Sequence, residues 1–204
     1  MSSKKSIWSF PSRSSRPSRP PRIYKVSDKQ KAEKTNRPLT PREVLLKSHL
    51  KLFLPLASGV VLLDQASKSA VSAALKMHEI RPLIHGLLNL TLVHNTGAAF
   101  GLLAGQTSIL RTIFFLGVSL VAMGVILWMV FRLPQDQKVE LLALSLIFGG
   151  ALGNVIDRAR LGEVIDFIDV YYHNYHWPAF NLADSAITIG VILLLFRLVF
   201  VKER

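Results

Sequence analysis

The sequence predicts an all-α membrane protein, four transmembrane helices with short β segments at one interface, and three observations carry that prediction. Half of the 204 residues are hydrophobic and mean hydropathy is +0.35, too apolar for an ordinary soluble domain. The apolar residues gather in four blocks, each close to the ~20 residues that carry a helix across ~30 Å of hydrocarbon. The basic residues lie to one side of them: residues 1–51 hold 14 Lys/Arg against 3 Asp/Glu, and the remainder 11 against 10. The length suits one compact domain, and the absence of cysteine excludes disulfides, thiolate catalysis and Cys-ligated zinc.

Taken in chain order, residues 1–50 are rich in Ser, Pro, Arg and Lys, as in Pro11-Ser-Arg-Ser-Ser-Arg-Pro-Ser-Arg-Pro20. Such a segment buries too little apolar surface to offset its ordering entropy, so it reads as a disordered basic tail ahead of a membrane domain over 51–204. It lacks the apolar stretch of a secretory signal, although a transit-like role fits its basic, Ser-rich composition. The first apolar block follows over 52–75, interrupted by Asp64 and Lys68; the others span 108–131, 139–156 and 182–201. Amides in lipid must be satisfied within their own segment, so these blocks are expected to be helices. The third is short, as if ending inside a protein-lined cavity. Residues 78–100, punctuated by Pro82 and Gly86, and 163–171, with Val164, Asp166, Ile168 and Val170 on one face, suggest short strands. Tyr171, Tyr172, Tyr175 and Trp177 cluster beside them as interface aromatics do.

The charges orient the chain. With the tail in the cytoplasm, Arg132 and Lys138 join it there, as do Arg197, Lys202 and Arg204, which places 19 of the 25 Lys/Arg inside. The expected topology is therefore N-terminus and C-terminus in, with both β segments outside. Beside membrane spans, a basic tail points to anionic lipid rather than to nucleic acid.

Ionisable groups in membrane spans are costly and need an explanation. Asp64 and Lys68 stand one turn apart and can neutralise one another; a structural pair explains both, and a substrate contact is the alternative. The third span ends in Gly149-Gly-Ala-Leu-Gly-Asn-Val-Ile-Asp-Arg158. Its small residues admit a close neighbour, another helix or a substrate helix with its acyl chains. An Asp157–Arg158 contact would account for its polar end. Asp166 and Asp184, the latter in Phe180-Asn-Leu-Ala-Asp184, come to the same outer level. Two carboxylates that share a site resist ionising together, so one can hold a proton while the other acts as base, as peptide hydrolysis requires. Two unrelated interface aspartates remain the other reading.

Other chemistries lack their parts. There is no His-Glu-x-x-His helix, and Ser185 has no Gly-x-Ser-x-Gly context. Glu163, Asp166 and Asp169 could hold a hard cation but want further oxygen ligands. His94 suits a polar network, and His173 and His176 an exposed loop.

Five pieces in order resemble the bacterial lipoprotein signal peptidases, the signal peptidase II family of intramembrane aspartic peptidases. They are Asp64-Gln-Ala-Ser-Lys68, Asn95-Thr-Gly-Ala-Ala-Phe-Gly101, Gly149 to Arg158, Val164-Ile-Asp-Phe167 and Phe180 to Asp184. With the flanking spans the resemblance covers residues 50–200. It implies four transmembrane helices, an extracytoplasmic β-cradle, and a catalytic pair on Asp166 and Asp184. Asp64, Lys68, Asn95, Gly97, Asn154, Asp157, Arg158, Asn181 and Ala183 become residues that support the pair or the substrate. The implied reaction cleaves diacylglyceryl-modified prolipoproteins just before the lipidated cysteine, with no metal or cofactor. Its implied setting is the bacterial inner membrane, where a monomer meets membrane lipids and prolipoproteins. The basic tail departs from the usual family pattern. The competing classes are a small transporter with its aspartates along a conduit, which would bring an inverted repeat, and a scaffold that needs no polar constellation.

Overall fold

The computed structural model describes residues 40–97 and 108–200, and these belong to one compact unit. Helix α1 covers Pro41–Ala74, followed by strands β1 (Ile80–Ile84) and β2 (Leu88–Asn95). Helices α2 (Ser108–Arg132) and α3 (Lys138–Leu161) come next, then β3 (Val164–Tyr172), β4 (Tyr175–His176) and α4 (Leu182–Phe200). Stretches 48–74, 109–132, 138–161 and 182–200 are long and apolar enough to cross a membrane, as the four blocks predicted. Large side chains such as Leu62, Leu63, Val121 and Leu198 stay exposed on them, the pattern of helices solvated by hydrocarbon.

Two expected boundaries move. Helix α1 begins at Pro41, so residues 41–50 are helical and not part of a disordered tail; residues 1–39 lie outside the described residues. Thr40-Pro41 is a helix start in its own right. Threonine favours the capping position, proline suits the first helical one, and the Val44 amide donates to the Thr40 carbonyl at 3.0 Å. Helix α3 is not short either, because it carries its polar end on to Leu161. Gly162 stops it: at φ +78° it adopts a left-handed turn, and its amide donates to the Arg158 carbonyl at 3.0 Å. Strand β3 therefore starts almost at once.

Helix α3 is the hub. Some 44% of its most apolar stretch is buried, against 17% in each of the other three spans. Its glycines explain how neighbours come so near. A Cβ on Gly149 would lie 2.7 Å from the Ala57 carbonyl oxygen of α1, and one on Gly153 2.6 Å from an Asp64 oxygen. Gly150 lies equally tight against the Ala183 carbonyl of α4, and in turn Gly190 of α4 rests on Ala143 and Ile147 of α3. The space at Gly149, Gly150 and Gly153 is thus filled by α1 and α4, which corrects the expectation that it houses a substrate helix or acyl chains. At the end away from the sheet, Phe53, Ala57, Ile126, Val130, Leu133, Leu141 and Leu144 form one core cluster. An Arg197–Glu140 pair at 2.6 Å ties α4 to α3 there.

The strands form one antiparallel layer in the order β1-β2-β3-β4. Val71 of α1 and Leu75 just after it pack with Leu92 and Phe167, which seats the sheet on the end of α1. Pairing slips by one residue in β2 between Leu90 and Val93, a bulge opposite Asp166 and Ile168. Bulges re-aim side chains, and this one leaves Val93 opposite Asp166 and Asn95 opposite Val164. Burial on β3 departs from the expected single face, since Phe167 and Asp169 are buried as well as Val164 and Asp166.

Candidate active site

The first turn of α4 makes half of the site. Asn181 stands just before the helix and its side-chain oxygen accepts the Asp184 amide at 2.9 Å, while an Asp184 carboxylate oxygen accepts the Asn181 amide at 3.3 Å. This reciprocal cap satisfies two of the donors that a helix start leaves free, and it pins the Asp184 side chain. A third donor, the Ala183 amide, goes to Asp64 of α1 at 3.0 Å.

The other half is β3. Asp166 is 2% exposed and its two oxygens accept from two amides, Asn181 at 2.7 Å and Asn95 at 2.9 Å. Asn154 of α3 donates to the second Asp184 oxygen at 2.8 Å. Asn181 therefore touches both aspartates and is itself fully buried. Burial pushes the Asp166 carboxyl up to about 6; the hydrogen bond from Asn95 pulls the other way, and the Asp184 charge pushes up further.

Behind this pair lies a buried ion cluster. The Lys68 ammonium meets Asp64 at 2.8 Å, Asp157 at 2.7 Å and the Asn154 carbonyl at 3.0 Å, so each of its three N–H bonds has an acceptor. The expected Asp64–Lys68 pair is thus present with a third member. The expected Asp157–Arg158 contact is not made, because adjacent helical residues diverge by about 100°. Asp157 turns to Lys68 and to Gln65, which donates at 2.8 Å, while the Arg158 guanidinium lies over the Phe115 ring at 5.4 Å. The same ring fills the space over Gly97, whose φ of +86° and lack of a Cβ both matter there. Ala98 to Gly101 of that motif lie outside the described residues.

Thus Asp64, Lys68, Asn95, Gly97, Asn154, Asp157, Asn181 and Ala183 join one hydrogen-bonded assembly with Asp166 and Asp184, Gly97 by donating its amide to the Asn95 side chain, and Arg158 borders it through Phe115. Gln65 and Phe115 had no assigned role in the sequence reading. Gln65 carried a signal, a polar side chain next to Asp64 inside a span; Phe115 carried none, being one aromatic among many. Asp169 is held by Asn89 at 2.9 Å and His176 at 2.9 Å, away from any cation set with Glu163, which pairs with His94 at 3.2 Å. His176 is accordingly a partnered residue stacked on Tyr171, not a free loop histidine.

Fold and site together define a multi-pass membrane protein with a two-carboxylate centre, Asp166 buried and Asp184 half-buried, at the sheet end of its helices. The family model of signal peptidase (SPase) II matches residues 56–200. The lipoprotein signal peptidase of Desulforapulum autotrophicum is 49% identical over 143 residues, 70% of this chain and 88% of that protein. That of Geobacter sulfurreducens is 46% identical over 159 residues, 78% and 98% of the two chains. A solved structure described as a bacterial membrane enzyme, determined by the in meso method at 1.9 Å, superimposes with a TM-score of 0.67 at 35% identity, covering 75% of this chain and 96% of that one. The chain belongs to the signal peptidase II family. It is an aspartic peptidase that removes signal peptides from lipoproteins.

Proposed function

We propose that the chain hydrolyses the bond just before the lipidated cysteine of diacylglyceryl-modified prolipoproteins, with Asp166 and Asp184 as the pair that activates water. The observation that carries this reading is Asn181, whose side-chain amide donates to the Asp166 carboxyl while its backbone amide donates to that of Asp184, which ties both carboxyls to one residue. One carboxylate takes a proton from water as its oxygen attacks the scissile carbonyl. The other, protonated, donates to the carbonyl oxygen, and a proton then passes to the departing amine. The proton is a property of the pair, not of either residue. Arg158 on Phe115 and the Asp64–Lys68–Asp157 cluster hold the surrounding walls. The route uses only these side chains and water. The proposed setting is a bacterial inner membrane, with a monomeric enzyme whose termini are cytoplasmic and whose sheet end faces outward, where the lipid anchor brings the scissile bond.

The test is cleavage of a lipidated prolipoprotein by purified, folded variants. Asp166→Asn and Asp184→Asn each remove one role while nearly keeping shape, and turnover is expected to fall at least about 10³-fold in either. The double variant should be hardly worse, because residues that act as a unit are non-additive. Asp157→Asn should lose activity only in part, through weakened support. A dead Asp157→Asn beside a normally active Asp166→Asn would overturn the assignment.

A further inference from the structure

Arg111 stands outside everything described so far. It lies in the first turn of α2, and its Nε is buried without a hydrogen-bond partner among the described residues. A buried donor left unmade costs free energy, so such a group in a native fold asks what it is for. Phe115 lies four residues on, on the same face of α2, and this is the ring that carries the Arg158 guanidinium and covers Gly97. Arg111 therefore shares the face of α2 that Phe115 turns toward Gly97 and Arg158, one turn nearer the start of the helix. Beside it the helix is apolar and offers Ile109, Ile113 and Phe114 to its surroundings. A guanidinium with an unpartnered Nε thus marks the polar edge of a lipid-solvated helix next to the site.

Charge narrows the ligand. With one proton held by the Asp166–Asp184 pair, the charges of Asp64, Asp157 and that pair are balanced by Lys68, Arg158 and Arg111, so a further anion would upset a balance already struck. A guanidinium there is better matched to uncharged acceptors, and its planar fork suits two carbonyl oxygens side by side. The substrate proposed above carries such a pair, the two ester carbonyls of its diacylglyceryl group, which lie at the polar–apolar boundary of a bilayer. We propose that Arg111 is a specificity residue that donates to these ester carbonyls and so seats the lipidated cysteine beneath the dyad. The inference rests on that substrate and touches no reacting atom, so its effect belongs in KM and not in kcat.

The experiment compares two synthetic prolipoprotein peptides, one with the diester glyceryl group and one with a diether that lacks both carbonyls. In the wild-type protein the diether should raise KM by about tenfold, the size of one charge-assisted hydrogen bond, with kcat within about twofold. Arg111→Gln should show that same loss on the diester and no further difference between the two peptides. Arg111→Lys, which keeps the cation and the membrane placement, should fall between them and repeats the comparison if the glutamine variant folds poorly. An ester preference kept at wild-type size in both variants would overturn the inference alone. So would a fall in kcat with KM unchanged. A wild-type protein that cleaves neither peptide would overturn the inference and the proposed substrate together.

Discussion

Asp166 is held by opposing effects, of which burial is the largest. Its shift from 3.8 to about 6 corresponds to about 3 kcal/mol against the ionised form, at about 1.36 kcal/mol per unit. The folded state keeps a proton across that interval where the unfolded chain has lost it. Stability is therefore expected to fall as pH rises from about 4 to about 6, and to level off above. Asp166→Asn removes the charge but meets two donating amides, Asn95 and Asn181, with only one acceptor, at a cost of about 1–3 kcal/mol. Thermal unfolding in detergent should show the variant gaining on the wild type by up to about 3 kcal/mol between pH 4 and pH 7; a difference that stays flat with pH would contradict the cause given for the shift. Activity should follow the same group. On the proposed mechanism the pair needs one proton, so kcat/KM should decline on the alkaline side with an apparent constant at or above about 6. At this scale the sequence spoke through residue type, since carboxylates beside membrane spans had to be explained. Partners were hidden where the chain is long: Gln65 and Asp157 meet from 92 residues apart, and nothing in the local pattern told Asp157 from Arg158 as a structural pair.

Elements were legible by hydrophobic length, and their ends by capping chemistry. Thr40-Pro41 and Gly162 each carried a boundary that apolar block lengths alone put elsewhere. The glycines of α3 show the limit of composition: a small-residue run announces a close neighbour, but only the fold says that α1 and α4 are the neighbours. Gly150→Val should push α4 from α3, since even a Cβ there meets the Ala183 carbonyl and Ile187. A loss of about 1–3 kcal/mol or more is expected, with activity falling alongside because Ala183 and Asp184 share that turn. Gly124→Ala in α2, where nothing lies within 4 Å, should instead gain up to about 1 kcal/mol from helix propensity. Equal effects of the two in a detergent melting experiment would refute the packing account.

For the molecule as a whole, the proposed orientation rests on the positive-inside pattern and the sheet at one end. Reporter fusions at His173 should read outside, and at Gln135 inside; a cytoplasmic signal at His173 would put the dyad on the wrong side for a substrate anchored in the outer leaflet. Deleting residues 2–39 stops short of the Thr40 cap and should leave the specific activity of inserted enzyme within about threefold, because the segment's composition supplies no core. An inactive but well-inserted deletion would show otherwise.

Asn181 carries one more consequence. Its side chain is bonded to Asp166, Asp184, Asn154 and the Ile165 carbonyl, and its backbone begins α4. Separating the two carboxyls means breaking several of these bonds together, so on the proposed mechanism the reacting groups stand ready before any substrate arrives. Discrimination among substrates then rests on arrival and fit, not on a chemical apparatus assembled by the right visitor. Poor substrates of such an enzyme should differ from good ones in how often they reach the bottom of the cleft, and much less in how fast they are cut once there.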